Sequence, residues 1–260
     1  MAERDAELRF ADDLLLFLAP RHRSGLVRIA ADGTSTLGHV VESLGVPLPE
    51  VGTLTVDGVP VPPAHRLSDR ESVDVAAVPR PQRPRSARFV LDVHLGTLAR
   101  RLRLLGVDTA YANDRDDDAL IEQANAEGRV LLTKDRRLLC RRKLRSGGYV
   151  RGARADAQLR DVLDRFAPPL APWTRCPACN GPLRTASLAE VAALLPPGTR
   201  RTYHEFARCA DCGRAYWRGA HSSRLEAIVN SATAIVATAI VAASASPGGS
   251  ELRSVHVGQD

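Results

Sequence analysis

Aromatic side chains are scarce in this chain of 260 residues: five Phe, four Tyr and two Trp, with a single Met. Its cores must therefore be built mainly from Leu, Val, Ala and Ile. A secretory signal is also not expected from the residues that open the sequence. The opening MAERDAELRF is mixed in charge, and the apolar run Leu14–Leu18 is too short for the h-region of a signal peptide. Cysteine is sparse too. Of the five present, four form two C-x-x-C pairs, which argues against a disulfide framework and for a metal in a reducing compartment. A cytoplasmic location is the expectation.

What is present is ordinary in amount and uneven in place. An apolar content of 44% is that of a globular protein, and the length suffices for one large domain or two smaller ones. Residues 1–78 carry 7 Arg against 12 acids, net −5, whereas residues 79–165 hold 20 basic against 12 acidic residues, net +8. Residues 166–227 add +4 and residues 228–260 subtract 1. An acidic front end is joined to a basic body, and such a body attracts phosphate backbones or acidic surfaces. The plain alternative is a solvated basic surface.

Residues 1–78 read as a small β-grasp (α+β) domain. ELRF and LVRIAA are strands, TLGHVVESLG has helical spacing with Gly45 as its C-cap, TLTVDGVPV is a hairpin turned by Asp57-Gly58, and SVDVAAV alternates as a last strand. This order resembles the ubiquitin-like sulfur carriers of the ThiS/MoaD type. Those carriers end in a free Gly-Gly; here the last strand runs into VPRPQRPRSAR, so a docking or regulatory role, with a protein partner, is expected instead. Residues 79–86 read as an extended, exposed Pro/Arg-rich linker.

Residues 87–167 alternate strand and helix. RFVLDV, VDTAYA and RVLLT are strands; LGTLARRLRLLG and DALIEQANAEG are helices ending at Gly106 and Gly128. A further helix is expected to close at Gly147-Gly148, followed by the strand YVRG and the helix DAQLRDVLDRF. Such alternation implies an α/β domain with a parallel sheet covered on both faces, whose ligands gather outside the carboxyl ends of the strands. Asp92 and Asp135 both fall on that edge, and so does the cluster DRDDD at 114–118. Converging carboxylates suit hard divalent cations such as Mg²⁺ or Mn²⁺, which can activate water and stabilise the leaving oxygen of a phosphodiester. Each acid also has a plain role open to it: Asp117 or Asp118 as an N-cap, Asp156 as the cap of AQLRDVL.

Cys176-x-x-Cys179 and Cys209-x-x-Cys212 form two knuckles, each followed by a turn at Asn180-Gly181 or Gly213. Four thiolates make a closed tetrahedral zinc site, structural and not catalytic. The insertion containing LAEVAALLPPG accommodates the long gap between the knuckles. A redox dithiol is the alternative. Cys140 reads as an unligated core cysteine.

Together, RFVLDVHLGTLARRLRLLGVDTAYAND, EGRVLLTKDRRLL, RCPACNGPL, CADCGRAYW and GAH resemble the Mut-seven C-terminal RNase family, a PIN-like nuclease group with a zinc ribbon, often preceded by a ubiquitin-like domain. The resemblance spans roughly residues 87–224. It implies a PIN-like three-layer fold over 87–167, a zinc ribbon over 168–226, and metal-dependent cleavage of RNA by Asp92, Asp117 and Asp135, with Asp156 as a looser fourth. Asp116 and Asp118 leave the second acid open by one position. Arg100, Arg103, Arg136 and Arg137 are candidate phosphate contacts. Tyr216, Trp217 and His221 would either stack on a base or, for the Trp, pack the ribbon against the body.

The tail, residues 227–260, carries a tandem TAIVA repeat diluted by Ala, Thr and Ser. It reads as an exposed helix or extension, and membrane association is not expected. Oligomeric state is not legible. The leading expectation is a ribonuclease acting on single-stranded RNA. One alternative is a non-catalytic RNA-binding adaptor that recruits a partner through residues 1–78; another is a nuclease kept silent by that acidic domain.

Overall fold

The structure, a computed structural model, describes residues 5–82, 84, 86–219 and 222–245. The first domain is a five-stranded sheet in the order β2-β1-β5-β3-β4. Alternation along β1 (Asp5–Phe10) turns Ala6, Leu8 and Phe10 inward, and β2 (Leu26–Ala30) pairs with it antiparallel. Helix α1 (Leu37–Ser43) is capped by the Thr36 hydroxyl, which accepts from the His39 N–H, and it buries Leu37, Val40 and Val41. β3 (Val51–Val56) and β4 (Val59–Val61) form the expected hairpin; Asp57 and Gly58 both take positive φ, 48° and 81°. β5 (Ser72–Ala77) then enters the middle, parallel to β1 and antiparallel to β3. A parallel pair of first and last strands beside a single helix is the β-grasp arrangement.

The second domain holds a four-stranded sheet, order β7-β6-β8-β9, with every pairing parallel. Its strands are β6 (Phe89–Leu91), β7 (Thr109–Tyr111), β8 (Val130–Thr133) and β9 (Gly147–Tyr149); its helices are α2 (Gly96–Leu104), α3 (Asp117–Glu127), α4 (Arg136–Leu139) and α5 (Ala155–Phe166). Phe89, Leu91, Val130 and Leu132 face Leu98, Leu102, Leu159 and Val162 of α2 and α5. Val90 and Leu131 face Leu120, Ile121 and Leu138 on the other side. Helices on both faces make three layers, which is why FVL and VLL are uninterrupted apolar runs.

The segment before Gly147 differs from expectation. Helix α4 ends at Leu139, and Gly147-Gly148 opens strand β9 instead of closing a helix. A Cβ at Gly147 would meet the Leu139 and Leu144 side chains at 2.8 and 2.9 Å, and one at Gly148 would press on the Arg165 guanidinium at 3.2 Å. The glycines are there for packing space.

The linker also differs. Arg80 pairs with Asp161 and Asp164 on α5 at 3.0 and 2.9 Å, and the Gln82 N–H donates to the Arg165 carbonyl. The chain here is tied to the α/β body and is not a free spacer. Arg165 reaches on to Glu50 at 2.6 Å, both side chains 1% exposed. The two domains are therefore joined by a buried ion pair.

After α5, a three-stranded sheet in the order β10-β11-β12 is built from β10 (Leu183–Ala186), β11 (Phe206–Cys209) and β12 (Ala215–Trp217). The insertion between β10 and β11 folds as α6 (Leu188–Val191), with a Ser187/Glu190 capping box, and α7 (Pro197–Thr202). Helix α8 (Ser222–Ala245) begins inside the stretch expected to be ribbon. It packs Ala232 and Val236 into the α2/α5 core. Over Ser222–Ser244 it is long and apolar enough to cross a membrane by length and composition, with mean hydropathy 1.8. The expectations for His221 and for residues 246–260 lie outside the described residues.

Candidate active edge and metal centre

Sheet order places a topological switch between β6 and β8: from β6 the chain steps out to β7, then returns to the other side of β6 as β8. Ligands of open parallel sheets bind in the crevice at such a point, outside the carboxyl ends. Asp92 follows β6 directly, and Asp135 lies two residues past β8. The two acids thus flank the switch.

Thr133, fully buried, links them. Its hydroxyl donates to Asp92 Oδ2 at 2.7 Å and accepts the Asp135 N–H at 2.8 Å. The Asp92 N–H donates to the Leu132 carbonyl, extending the ladder by one step and fixing this acid's backbone. Asp92 is 7% exposed, yet no Arg, Lys or His among the described residues pairs with its carboxylate. Burial of a carboxylate without a cation is costly unless something positive comes to it. Asp135 is exposed and caps α4, its Oδ1 accepting from the N–H groups of Arg137 and Leu138 at 2.7 and 3.4 Å. On the other flank, the Tyr111 hydroxyl donates to the Val93 carbonyl at 2.8 Å, and only a glycine fits at Gly96 beneath that ring.

The remaining acids are placed differently. Asp116 is the N-cap of α3, accepting from the Ala119 N–H, which leaves Asp117 exposed in the first turn. Asp118 pairs with Arg141 at 2.7 Å. Asp156 does not cap α5, whose N-cap is Arg154. It is exposed and 2.7 Å from Arg101. Among the described residues, only the four cysteines form a cluster compact enough to hold one ion, so Asp92, Asp117, Asp135 and Asp156 share an edge without being drawn into a single ligand set.

Two of the four expected phosphate-binding arginines have other work. Arg103 is buried and donates to the Thr109, Pro177 and Ala178 carbonyls, tying α2 to the first knuckle. Burial pushes its pKa down, while the Cys179 and Cys176 sulfurs act to raise it. Arg136 donates to the Phe17 and Leu16 carbonyls at 2.9 and 2.7 Å and lies over the Phe17 ring, within the domain interface. Arg100 and Arg137 are exposed.

The sulfurs of Cys176, Cys179, Cys209 and Cys212 all lie within 4.8 Å of one another. Two of the separations are 3.4 Å (Cys179–Cys209) and 3.7 Å (Cys176–Cys212). Tetrahedral zinc with Zn–S bonds of about 2.3 Å needs sulfurs roughly 3.8 Å apart, so the donor set fits that ion. Left-handed Asn180 (φ 74°) and Gly213 (φ 72°) make the knuckle turns. Burial pushes the Cys176 thiol up, but the Tyr216 hydroxyl at 2.9 Å and the N–H groups of Cys179 and Ala178 bring it down to about 7. Tyr216 thus packs against the cluster, whereas Trp217 is 37% exposed and Arg218 lies over the Trp173 ring. Asn180 anchors the first knuckle by accepting the Thr109 N–H and donating to Asp108. Cys140 is free and half-buried, and burial pushes its thiol up.

Sequence reasoning missed Thr133 and Tyr111, and the tying roles of Asn180, Arg103 and Arg136. Only Thr133 carried a local signal, as the one hydroxyl between VLL and Asp135.

A family model described as the Mut7-C RNAse domain matches residues 87–229, and one described as Mut7-C ubiquitin matches residues 3–83. No curated protein and no solved structure matches.

Proposed function

The chain belongs to the Mut7-C RNase family, with that family's ubiquitin domain in front, and on this premise we propose that it is a metal-dependent ribonuclease hydrolysing RNA phosphodiester bonds at the β6/β8 switch. The observation that carries the reading is the Asp92–Thr133–Asp135 link: a nearly buried carboxylate without a cation, coupled to a second acid across the crevice. An all-oxygen donor set of this kind fits Mg²⁺ or Mn²⁺. When bound, such an ion would polarise water and the phosphoryl oxygens.

The protein's own groups divide the remaining work. Asp92 and Asp135 would hold the ion with Thr133 orienting Asp92, and Asp117 and Asp156, in the first turns of α3 and α5, would assist from the same edge. Arg137 and Arg100 hold flanking phosphates of a single strand. The Cys176/Cys179/Cys209/Cys212 site takes structural zinc and, with Arg103, braces the end of α2. The setting is cytoplasmic, where thiols stay reduced.

The test is cleavage of labelled single-stranded RNA with Mg²⁺ or Mn²⁺, comparing wild type with Asp92→Asn and Asp135→Asn. Loss of at least about 100-fold in each variant, with unchanged melting, is expected for ligands of the reacting ion. Full activity in both variants sinks the assignment. One observation favours a non-catalytic RNA-binding adaptor: the four acids are not gathered within reach of one ion. Binding without cleavage under either metal would select that reading.

A further inference from the structure

A cleft of about 640 Å³ opens between the two domains. One wall is helix α1 with His39 and Glu42; the other is the turn that joins α4 to β9, carrying Arg141, Arg142 and Arg145. Leu48, Leu139 and Leu144 supply an apolar floor. The Arg165–Glu50 pair, the Arg136 contacts and the Arg151–Asp13 pair hold its two walls together.

Its position is distinct from the candidate active edge. Gly147 pairs with Leu131 at the amino ends of β9 and β8, while Asp92 and Asp135 sit beyond the carboxyl ends. At about 3.3 Å per strand residue, Gly147 lies roughly 10 Å from that edge, whereas Leu139, at the near end of the cleft, is one helical turn past Asp135, its N–H 3.4 Å from the Asp135 carbonyl oxygen. Exposed Arg137 and Arg141 lie along the path between them.

The basic charges in the cleft are only partly spent. Arg141 pairs with Asp118, but the guanidinium groups of Arg142 and Arg145 make no hydrogen bond or ion pair with the described residues. Glu42 is the one acid among the described residues that line the cleft; burial pushes its carboxyl up, while the His39 and Arg142 charges act to lower it, so Arg142 feels this carboxylate without a direct ion pair. Two guanidinium groups without a direct hydrogen-bond or ion-pair partner among the described residues, at the rim of an apolar floor, match phosphates of a strand with a base laid on aliphatic side chains.

We propose that this interdomain cleft is a second RNA-binding site, which grips the substrate strand away from the cut with phosphates on Arg142 and Arg145 and a base over Leu48, Leu139 and Leu144. The inference rests on the ribonuclease reading. It gives the ubiquitin-like domain a share in substrate binding within its own chain.

The test uses the full chain without added Mg²⁺ or Mn²⁺, and a fluorescent single-stranded RNA of about 12 nucleotides. Arg142→Ala/Arg145→Ala should weaken binding about tenfold. It should also flatten the slope of log K against log[salt] by about 1.4, or 0.7 for each lost phosphate contact. In a separate assay with Mg²⁺ or Mn²⁺ added, cleavage of a dinucleotide, too short to engage both places, should be unchanged. An unaltered affinity and slope, with wild type still binding RNA, overturns the second site alone; so does an equal loss on the dinucleotide. A wild type that binds no RNA without metal yet cleaves it with Mg²⁺ or Mn²⁺ overturns the second site alone; one that neither binds nor cleaves overturns the ribonuclease reading and this inference with it. Should the variant melt early, crosslinking of 4-thiouridine RNA to wild type decides: adducts on the peptide 139–147 support the site, and adducts elsewhere only refute it.

Discussion

Replacing Glu50 with Ala is the sharpest perturbation of the domain junction. Its Oε1 accepts from Arg165 Nη1 at 2.6 Å and from the Tyr149 N–H at 2.7 Å, so one oxygen serves both a charge and a strand end. After truncation, Arg165 would keep only neutral acceptors, the Pro49 carbonyl and Gln82 Oε1, each at 3.0 Å. Removing one partner of a buried pair costs about 3–5 kcal/mol, because the other charge stays desolvated. For a cooperative unit of this size, each kcal/mol moves the melting temperature by about 2–4 °C, so a fall of about 6–20 °C is expected. Glu50→Gln, which keeps an acceptor for Tyr149, should fall less. Glu50→Leu with Arg165→Met should recover much of the loss, since an apolar pair removes both desolvation penalties. Thermal unfolding by circular dichroism measures the shift, and limited proteolysis across residues 79–86 reports whether the linker is freed. A loss under about 1 kcal/mol for Glu50→Ala, with the linker still protected, would refute the account of a buried, domain-joining ion pair.

Thr133→Val preserves shape while removing the hydroxyl that orients Asp92. Cleavage should drop about 10–100-fold with at most about 1–3 kcal/mol of stability lost, and undiminished turnover would show that Asp92 needs no such support. Stripping the four-cysteine site with a chelator should release about one zinc per chain, read with a colorimetric dye, and melt β10–β12; release of no metal, or a disulfide found by mass spectrometry, argues against structural zinc. Asp108 joins the sheet to the first knuckle through Arg129 and Asn180. Burial pushes its carboxyl up, but those hydrogen bonds and the Arg129 and Arg175 charges hold it below the ordinary 3.8. Its contribution is therefore complete above that value and is lost as pH falls through the lower folded value. The melting difference between wild type and Asp108→Ala should be flat above about pH 5 and shrink below about pH 4; a constant difference throughout would exclude the linkage.

Local signals carried well into the fold. The Asp57-Gly58 turn, the helical spacing of Leu37, Val40 and Val41, and the buried runs FVL and VLL each depend on nearest neighbours along the chain, and each formed as read. The placement of Asp92 and Asp135 was legible in the same way, since an acid just past a parallel strand falls on the carboxyl edge whatever lies elsewhere. Misreadings cluster where partners are distant in sequence. Gly147-Gly148 looked like a helix stop, because what excludes a side chain there includes Arg165, far along the chain. Arg103 and Arg136 looked like phosphate ligands, because an arginine's task is set by the carbonyls that fold around it.

Composition, period and motif by themselves determined the β-grasp and three-layer α/β domains, the four-cysteine cluster and the edge that bears the acids. Tertiary structure alone decided that the domains are locked by Glu50 and Arg165, that Thr133 couples Asp92 to Asp135, and that Arg142 and Arg145 face a cleft. The physical reason is range. Backbone preferences and burial periods act over a few residues, whereas a buried charge or a hydrogen-bonding hydroxyl takes its meaning from whichever group, 41 or 115 residues away, the fold brings within hydrogen-bond reach.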